Sequence, residues 1–169
     1  MRPGETRKLT VLAMLSAAAV VCNILESVYI GPLFLNMRIG IANIASLIAL
    51  VLYGKKGLCT VNIIRVITAP ALQGTLFGTA FWISLAGVSL STLTVLLLDP
   101  QKHSLLFLSI CGAMTHSLGQ VLAVALLYRQ AAMAASLPYY ILLSIVTGLL
   151  TGTAASLAVK HLKPVLRRY

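Results

Sequence analysis

The sequence predicts an all-α, polytopic membrane protein: a bundle of six transmembrane helices forming a single domain over residues 1–169. Three observations lead there. Of the 169 residues, 59% are hydrophobic and 9% are charged, whereas a soluble domain carries about 25% charged residues. The apolar residues gather into runs of membrane-crossing length, separated by short polar turns. The basic residues, which give a formal net charge of +10, flank those runs. A charge of that size on a soluble chain suggests nucleic acid. Here it reads as a topology signal, and no nucleic-acid partner is expected. No polar stretch is long enough to fold as a second domain.

Each element follows from local signals. A polar tail with Arg2, Arg7 and Lys8 precedes a helix over 9–30, which Gly31-Pro32 stops. This run exceeds a signal-peptide core and has no small-residue cleavage site after it, so it is expected to stay in the membrane. A loop then ends at Arg38. The second helix is expected over 39–53, ending at Gly54, with Lys55-Lys56 as a tight turn. The third, over 57–69, ends before Pro70. It is short for a full crossing, and Gln73, Gly74 and Gly78 suit irregular backbone buried in the protein over 70–78. A fourth helix is expected over 79–98, a turn over 99–103 and a fifth helix over 104–128. Pro138 opens the sixth, over 138–161, after which the chain ends in a basic tail.

Six spans place both termini on one side. That side holds Arg2, Arg7, Lys8, Lys55, Lys56, Lys102, Lys160, Lys163, Arg167 and Arg168, against Arg38 and Arg129 on the other. The imbalance predicts cytoplasmic termini in the cytoplasmic (inner) membrane.

Against this apolar background the polar residues stand out. Among three acidic residues, Glu26 alone lies inside an apolar run. An ionised carboxylate there costs a few kcal/mol unless it is paired or hydrated. Asn23 lies three residues earlier, on the same helical face. Counted at about 1.5 Å per residue, Glu26, Asn43, Arg65, His116 and Gln120 fall in the outer half of the membrane. They are expected to line one pocket for a small planar solute, with Glu26 and Arg65 as a pair. Trp82 and Tyr139 offer rings for stacking, and Arg38 and Arg129 offer charge to a phosphate. Each has a plainer reading: a structural ion pair, interhelical hydrogen bonds for Asn43 and Gln120, a neutral core histidine, interfacial anchoring for the two arginines, and simple packing for Trp82. Ala13 and Ala17, one turn apart on the cytoplasmic half of the first helix, would let a partner helix approach closely. Cys22, Cys59 and Cys111 form no CxxC pair and read as small hydrophobes. No metal set is expected.

These residues carry a resemblance. Leu25-Glu26, the segment from Arg38 to Asn43, Arg65, Ser84-Leu85-Ala86-Gly87 and Gly112-Ala113-x-x-His116-x-x-Gly119-Gln120 occur in order, followed by Leu137-Pro138-Tyr139 and the glycines of the last helix. The pattern resembles the family named both "heptaprenyl diphosphate synthase component I" and "Gx transporter", over nearly the whole chain. Ile39 and Ile41 stand where that family usually has leucine, and Ser117 where it usually has asparagine. The family is similar to the substrate-binding S components of energy-coupling factor transporters. The resemblance implies a six-helix bundle of S-component type, a pocket near the outer surface, and a coupling (T) subunit with ATPases as partners meeting Ala13 and Ala17. Some relatives are associated with flavin movement, so it also implies a flavin as bound substrate.

The leading expectation is therefore a transport component that binds a vitamin-like solute, best a flavin. The alternatives are an accessory membrane subunit linked to polyprenyl diphosphate synthesis, or a structural subunit of a larger complex. Catalysis is not expected. Chain-elongating prenyl synthases hold magnesium through paired aspartate-rich motifs, and this sequence has one aspartate, Asp99. No GxxxxGK[ST] loop is present, so any use of ATP falls to a partner.

Overall fold

A computed structural model describes residues 3–30 and 40–167. Among these every regular element is helical and there is no strand. Five α-helices follow one another: α1 (Pro3–Leu25), α2 (Ala42–Leu72), α3 (Thr79–Leu97), α4 (Leu105–Leu127) and α5 (Leu137–Arg167). One π-helical turn, Glu26–Ile30, extends α1, and a 3-10 segment, Ala131–Ser136, leads into α5. Five helices are long and apolar enough to cross a membrane, one fewer than the six expected.

The difference lies in α2, where helices were expected over 39–53 and 57–69. The element runs as one from Ala42 to Leu72, but Gly54 inside it has φ 71° and ψ −162°. That region of backbone space belongs to glycine almost alone. The chain turns back on itself there, as two hydrogen bonds demonstrate. Ser46 Oγ donates to Asn62 Oδ1 at 2.6 Å, and Arg65 Nη2 donates to Asn43 Oδ1 at 2.7 Å. In a straight helix, residues 16 apart would be separated by about 24 Å. The arms 42–53 and 55–72 therefore run antiparallel. Gly57 keeps them close, since a side chain there would meet the Ala49 carbonyl oxygen at 2.7 Å. Pro70 does not end the second arm, which continues to Leu72. Nor is the segment after it buried: residues 74–80 are exposed. Positive φ at Gly74 and Phe77 winds it into a tight turn, closed by Thr75 N–H on the Pro70 carbonyl and Gly78 N–H on that of Thr75.

The chain divides into two compact units, residues 1–69 with 154–169, and residues 70–153. In the first, α1 buries one stripe: Leu12, Ser16, Ala19, Asn23 and Glu26. This three-and-four spacing is that of one helical face. Leu12 and Ala19 pack on Ala45 and Ala49 of one α2 arm and Val61 of the other. At the Gly54 end, Lys8 Nζ lies 5.8 Å from the centre of the Tyr53 ring. Lys8 and Glu26 are about 27 Å apart along α1.

In the second unit α4 is central. Ser104 caps it, its hydroxyl accepting from the Phe107 N–H. It runs antiparallel to α3: Gly87 faces His116 and Gln120, while Gly112 faces Ser91 and Val95. The first half of α5 packs on a neighbouring face of α4. A side chain at Gly148 would lie 2.8 Å from Ile110 Cα, and the hydroxyl pairs Ser109–Thr151 and Ser117–Ser144 join the two helices at 3.0 and 2.5 Å. Small residues at these crossings let backbones meet, as membrane helix packing requires.

Gly54 has nothing within 4 Å of the position a side chain would take, so substituting it tests conformation alone. Gly54→Ala is expected to destabilise the hairpin by about 1–3 kcal/mol, read as a lower thermal midpoint of the detergent-solubilised protein. An unchanged midpoint would mean that the turn relaxes to a conformation open to any residue.

Candidate functional site

The site is built from the far end of the α2 hairpin. The first turn of any helix leaves backbone N–H groups without intrahelical acceptors. In water these are solvated; inside an apolar bundle each must be given a partner. Gly40, with φ +89°, directs the backbone into α2 but has no side chain to cap it. The acceptor comes from α1. Glu26, 1% exposed, receives the Gly40 N–H at 2.5 Å and the Ile41 N–H at 2.9 Å, both on Oε1. A carboxylate at a helix N-terminus is also favoured by the helix dipole. The π-helical turn begins at Glu26, and such turns recur at functional positions in helices.

The same first turn holds the buried cation. Asn43 N–H returns to the Gly40 carbonyl at 2.8 Å, and the Asn43 amide oxygen takes the Arg65 guanidinium. Glu26, Asn43 and Arg65 were expected at one depth, with Glu26 and Arg65 as a pair. The hydrogen bonds give each charge a partner in the first turn of α2, and all three residues belong to one connected junction. Asn62 and Ser46, also buried, extend it by one turn toward Gly54. Sequence reading missed these two. The signal was available: 46 and 62, like 43 and 65, are equally spaced about Gly54.

In the second unit His116 and Gln120 lie one turn apart on α4, each 5% exposed. Both side chains lean over Gly87 of α3, where a Cβ would come within 2.8 Å of Gln120 Cγ and 3.0 Å of His116 Cε1. The Gln120 amide oxygen is buried with no hydrogen-bond partner. That acceptor is the feature of the α4 face most suited to a ligand N–H. Trp82 and Tyr139 stand apart from this face. Trp82 is 46% exposed and donates its indole N–H to the Phe77 carbonyl at 3.2 Å. Tyr139, also exposed, packs edge-on against Tyr140. Arg129 is exposed just beyond α4. Arg38 lies outside the described residues. On α1, Ala13 and Ala17 are exposed, on the face opposite the buried stripe. The three cysteines are free thiols.

This architecture defines a multi-pass helical membrane protein whose buried polar groups meet at helix ends and crossings. The match to a family model makes the assignment specific: residues 15–158 fit the heptaprenyl diphosphate synthase component I family, and the chain belongs to it. Neither a curated protein nor a solved structure matches the chain.

Glu26→Leu should leave two N–H groups at the start of α2 without an acceptor, at about 1–3 kcal/mol for each one that stays buried. Glu26→Gln keeps an acceptor oxygen and is expected to lose much less. Thermal unfolding in detergent distinguishes them. Equal losses for the two variants would show that the charge, and not the capping geometry, holds the junction.

Proposed function

We propose that the chain is a non-catalytic membrane subunit that works beside heptaprenyl diphosphate synthesis. The observation that carries this reading is the family match over residues 15–158. The distribution of carboxylates supports an accessory role over a catalytic one. Glu26 is engaged with the first turn of α2, Asp99 accepts the Gln101 N–H in the turn after α3, and Glu5 stands in the first turn of α1. Ionising a prenyl diphosphate calls for magnesium between paired carboxylate motifs, and three acids scattered along the sequence, with one aspartate among them, form no such motif. The chemistry is then assigned to a soluble partner, which this chain would hold at the membrane. Affinity purification of the tagged chain from its native membrane should recover a prenyl diphosphate synthase. A synthase that stays wholly soluble and unaltered in product length when this chain is deleted would overturn the reading.

A second reading is favoured by one observation, the buried and unpartnered Gln120 amide oxygen. In this reading the chain binds a small planar solute in the manner of an S component, with a flavin first among candidates and Arg38 or Arg129 serving a phosphate if the ligand is a nucleotide. The exposed Ala13 and Ala17 supply the face for a coupling subunit. Visible absorbance of the purified protein tests it: a co-purified flavin is expected, and Gln120→Leu should weaken its binding by about 1–3 kcal/mol. A colourless protein that binds no flavin on titration leaves the accessory role standing alone.

Both readings share a topology. The reversal at Gly54 brings α2 back toward the side it entered from, which supports six crossings with both termini on the Lys55-Lys56 side. That basic side is assigned to the cytoplasm. An impermeant thiol reagent should label Arg129→Cys in intact cells, and Lys163→Cys only after permeabilisation. Labelling of both from outside would reject this orientation.

A further inference from the structure

Within the second unit, α3 and α4 enclose a groove of about 520 Å³. Its floor is where the two backbones touch: Gly119 has no side chain, and a Cβ there would lie 2.7 Å from the Ala86 carbonyl oxygen. Ala86 and Ala123 keep the floor low, while Trp82, Leu93 and Leu126 rise beside it. These rim residues are themselves exposed, Leu126 at 79%. The lining is carbon almost throughout. Because both helices are long and apolar enough to cross a membrane, the medium at the mouth of the groove is lipid.

One end of the groove is chemically marked. Trp82 closes it together with Leu126, and an edge-to-face series Phe77–Phe81–Trp82 lies beside it. Tryptophan collects at the headgroup level of a bilayer. At the same end the chain leaves α4 with Arg129 at φ 52°. Its N–H returns to the Leu126 carbonyl at 3.4 Å, and the Gln130 N–H to that of Ala125 at 3.2 Å. This fold-back keeps the arginine within a turn of the groove wall. Over residues 70–153 the sequence has one carboxylate, Asp99, which follows the opposite end of α3.

We propose that the α3–α4 groove binds one acyl chain of an anionic phospholipid, with the lipid phosphate against Arg129. The carbon-lined floor takes the chain, the aromatic end sets the depth of the head, and the guanidinium meets phosphate with paired donors. This assignment does not rest on the first function proposed above, and it competes with the second for Arg129. It describes a lipid held by the protein at one place, in distinction from the lipid that surrounds any membrane helix.

Trp82 is the single tryptophan in the chain, so its fluorescence reports on this groove alone. The full chain is placed in phosphatidylcholine nanodiscs containing increasing fractions of phosphatidylglycerol with brominated acyl chains, whose bromines quench indole on contact. Quenching of wild type should saturate at a low mole fraction, with a preference of about fivefold over brominated phosphatidylcholine, the contribution of one basic side chain near a headgroup. Arg129→Gln, at an exposed position, should abolish that preference. Ala123→Phe, which fills the floor, should abolish the saturable phase, with circular dichroism confirming that the variant is folded. Quenching that rises linearly and equally for both lipids would overturn the proposal, as would a folded Ala123→Phe that behaves as wild type. Relief of the quenching by farnesyl diphosphate at concentrations below those of the phospholipid would also overturn it, by giving the groove to a prenyl chain.

Discussion

One interaction organises the first unit: the Glu26 carboxylate on the free N–H groups at the start of α2. A helix that begins inside an apolar bundle has no water to satisfy its first turn. The usual remedy is a capping side chain directly before the helix, and Gly40 cannot supply one. The cap is instead delivered from α1, 14 residues upstream of Gly40. This ties the end of α1 to the start of α2, and Asn43 in the same turn ties in Arg65 from the second arm. A buried anion and a buried cation are thus each bound to the same helical turn. Removing one partner of a buried ion pair is strongly destabilising, and spreading the contact over backbone dipoles makes the junction depend on helix geometry as well as on charge.

The second unit is held differently. Its crossings are glycine against backbone and hydroxyl against hydroxyl. None of these contacts needs a charge. The Gln120 oxygen stands out against them: it is a buried acceptor without a hydrogen bond, whereas the hydroxyls at the α4–α5 crossing, such as Ser117 and Ser144, are paired. Structural burial and ligand burial look alike in a sequence of apolar runs. They separate only when the partners are known.

Much of the fold was legible because membrane helices announce themselves by length. The apolar runs place α3 and α4 within a residue at each end, and Pro138 does the same for the start of α5, which runs on to Arg167, past the expected end at 161. Glu26, Asn43 and Arg65 were singled out as polar residues of similar depth, and their hydrogen bonds meet at the start of α2. What could not be read was their partners, since Glu26 binds main-chain N–H groups that carry no sequence signature. The count of helices differed because the two arms on either side of Gly54 form one element, Ala42–Leu72, with the reversal inside it. Pro70 misled for a local reason: a proline disfavours helix before it, yet the arm runs on to Leu72. The glycines at 74 and 78 suggested buried irregular backbone, but their role is to turn an exposed connection. On α1, composition alone did not separate Ala13 and Ala17, which face outward, from Ala19, which is fully buried.

The first arm of α2, residues 42–53, spans only about 18 Å, against a hydrocarbon layer of about 30 Å. A segment that short cannot span the layer alone, but Ala45, Ser46, Leu47, Ile48, Ala49 and Leu50 are all buried, so its sides meet protein and not lipid. The shortfall in length is met by the longer helices packed on it, α1 and the second arm of about 27 Å. The arm is free to be shorter than the bilayer because it does not have to match it.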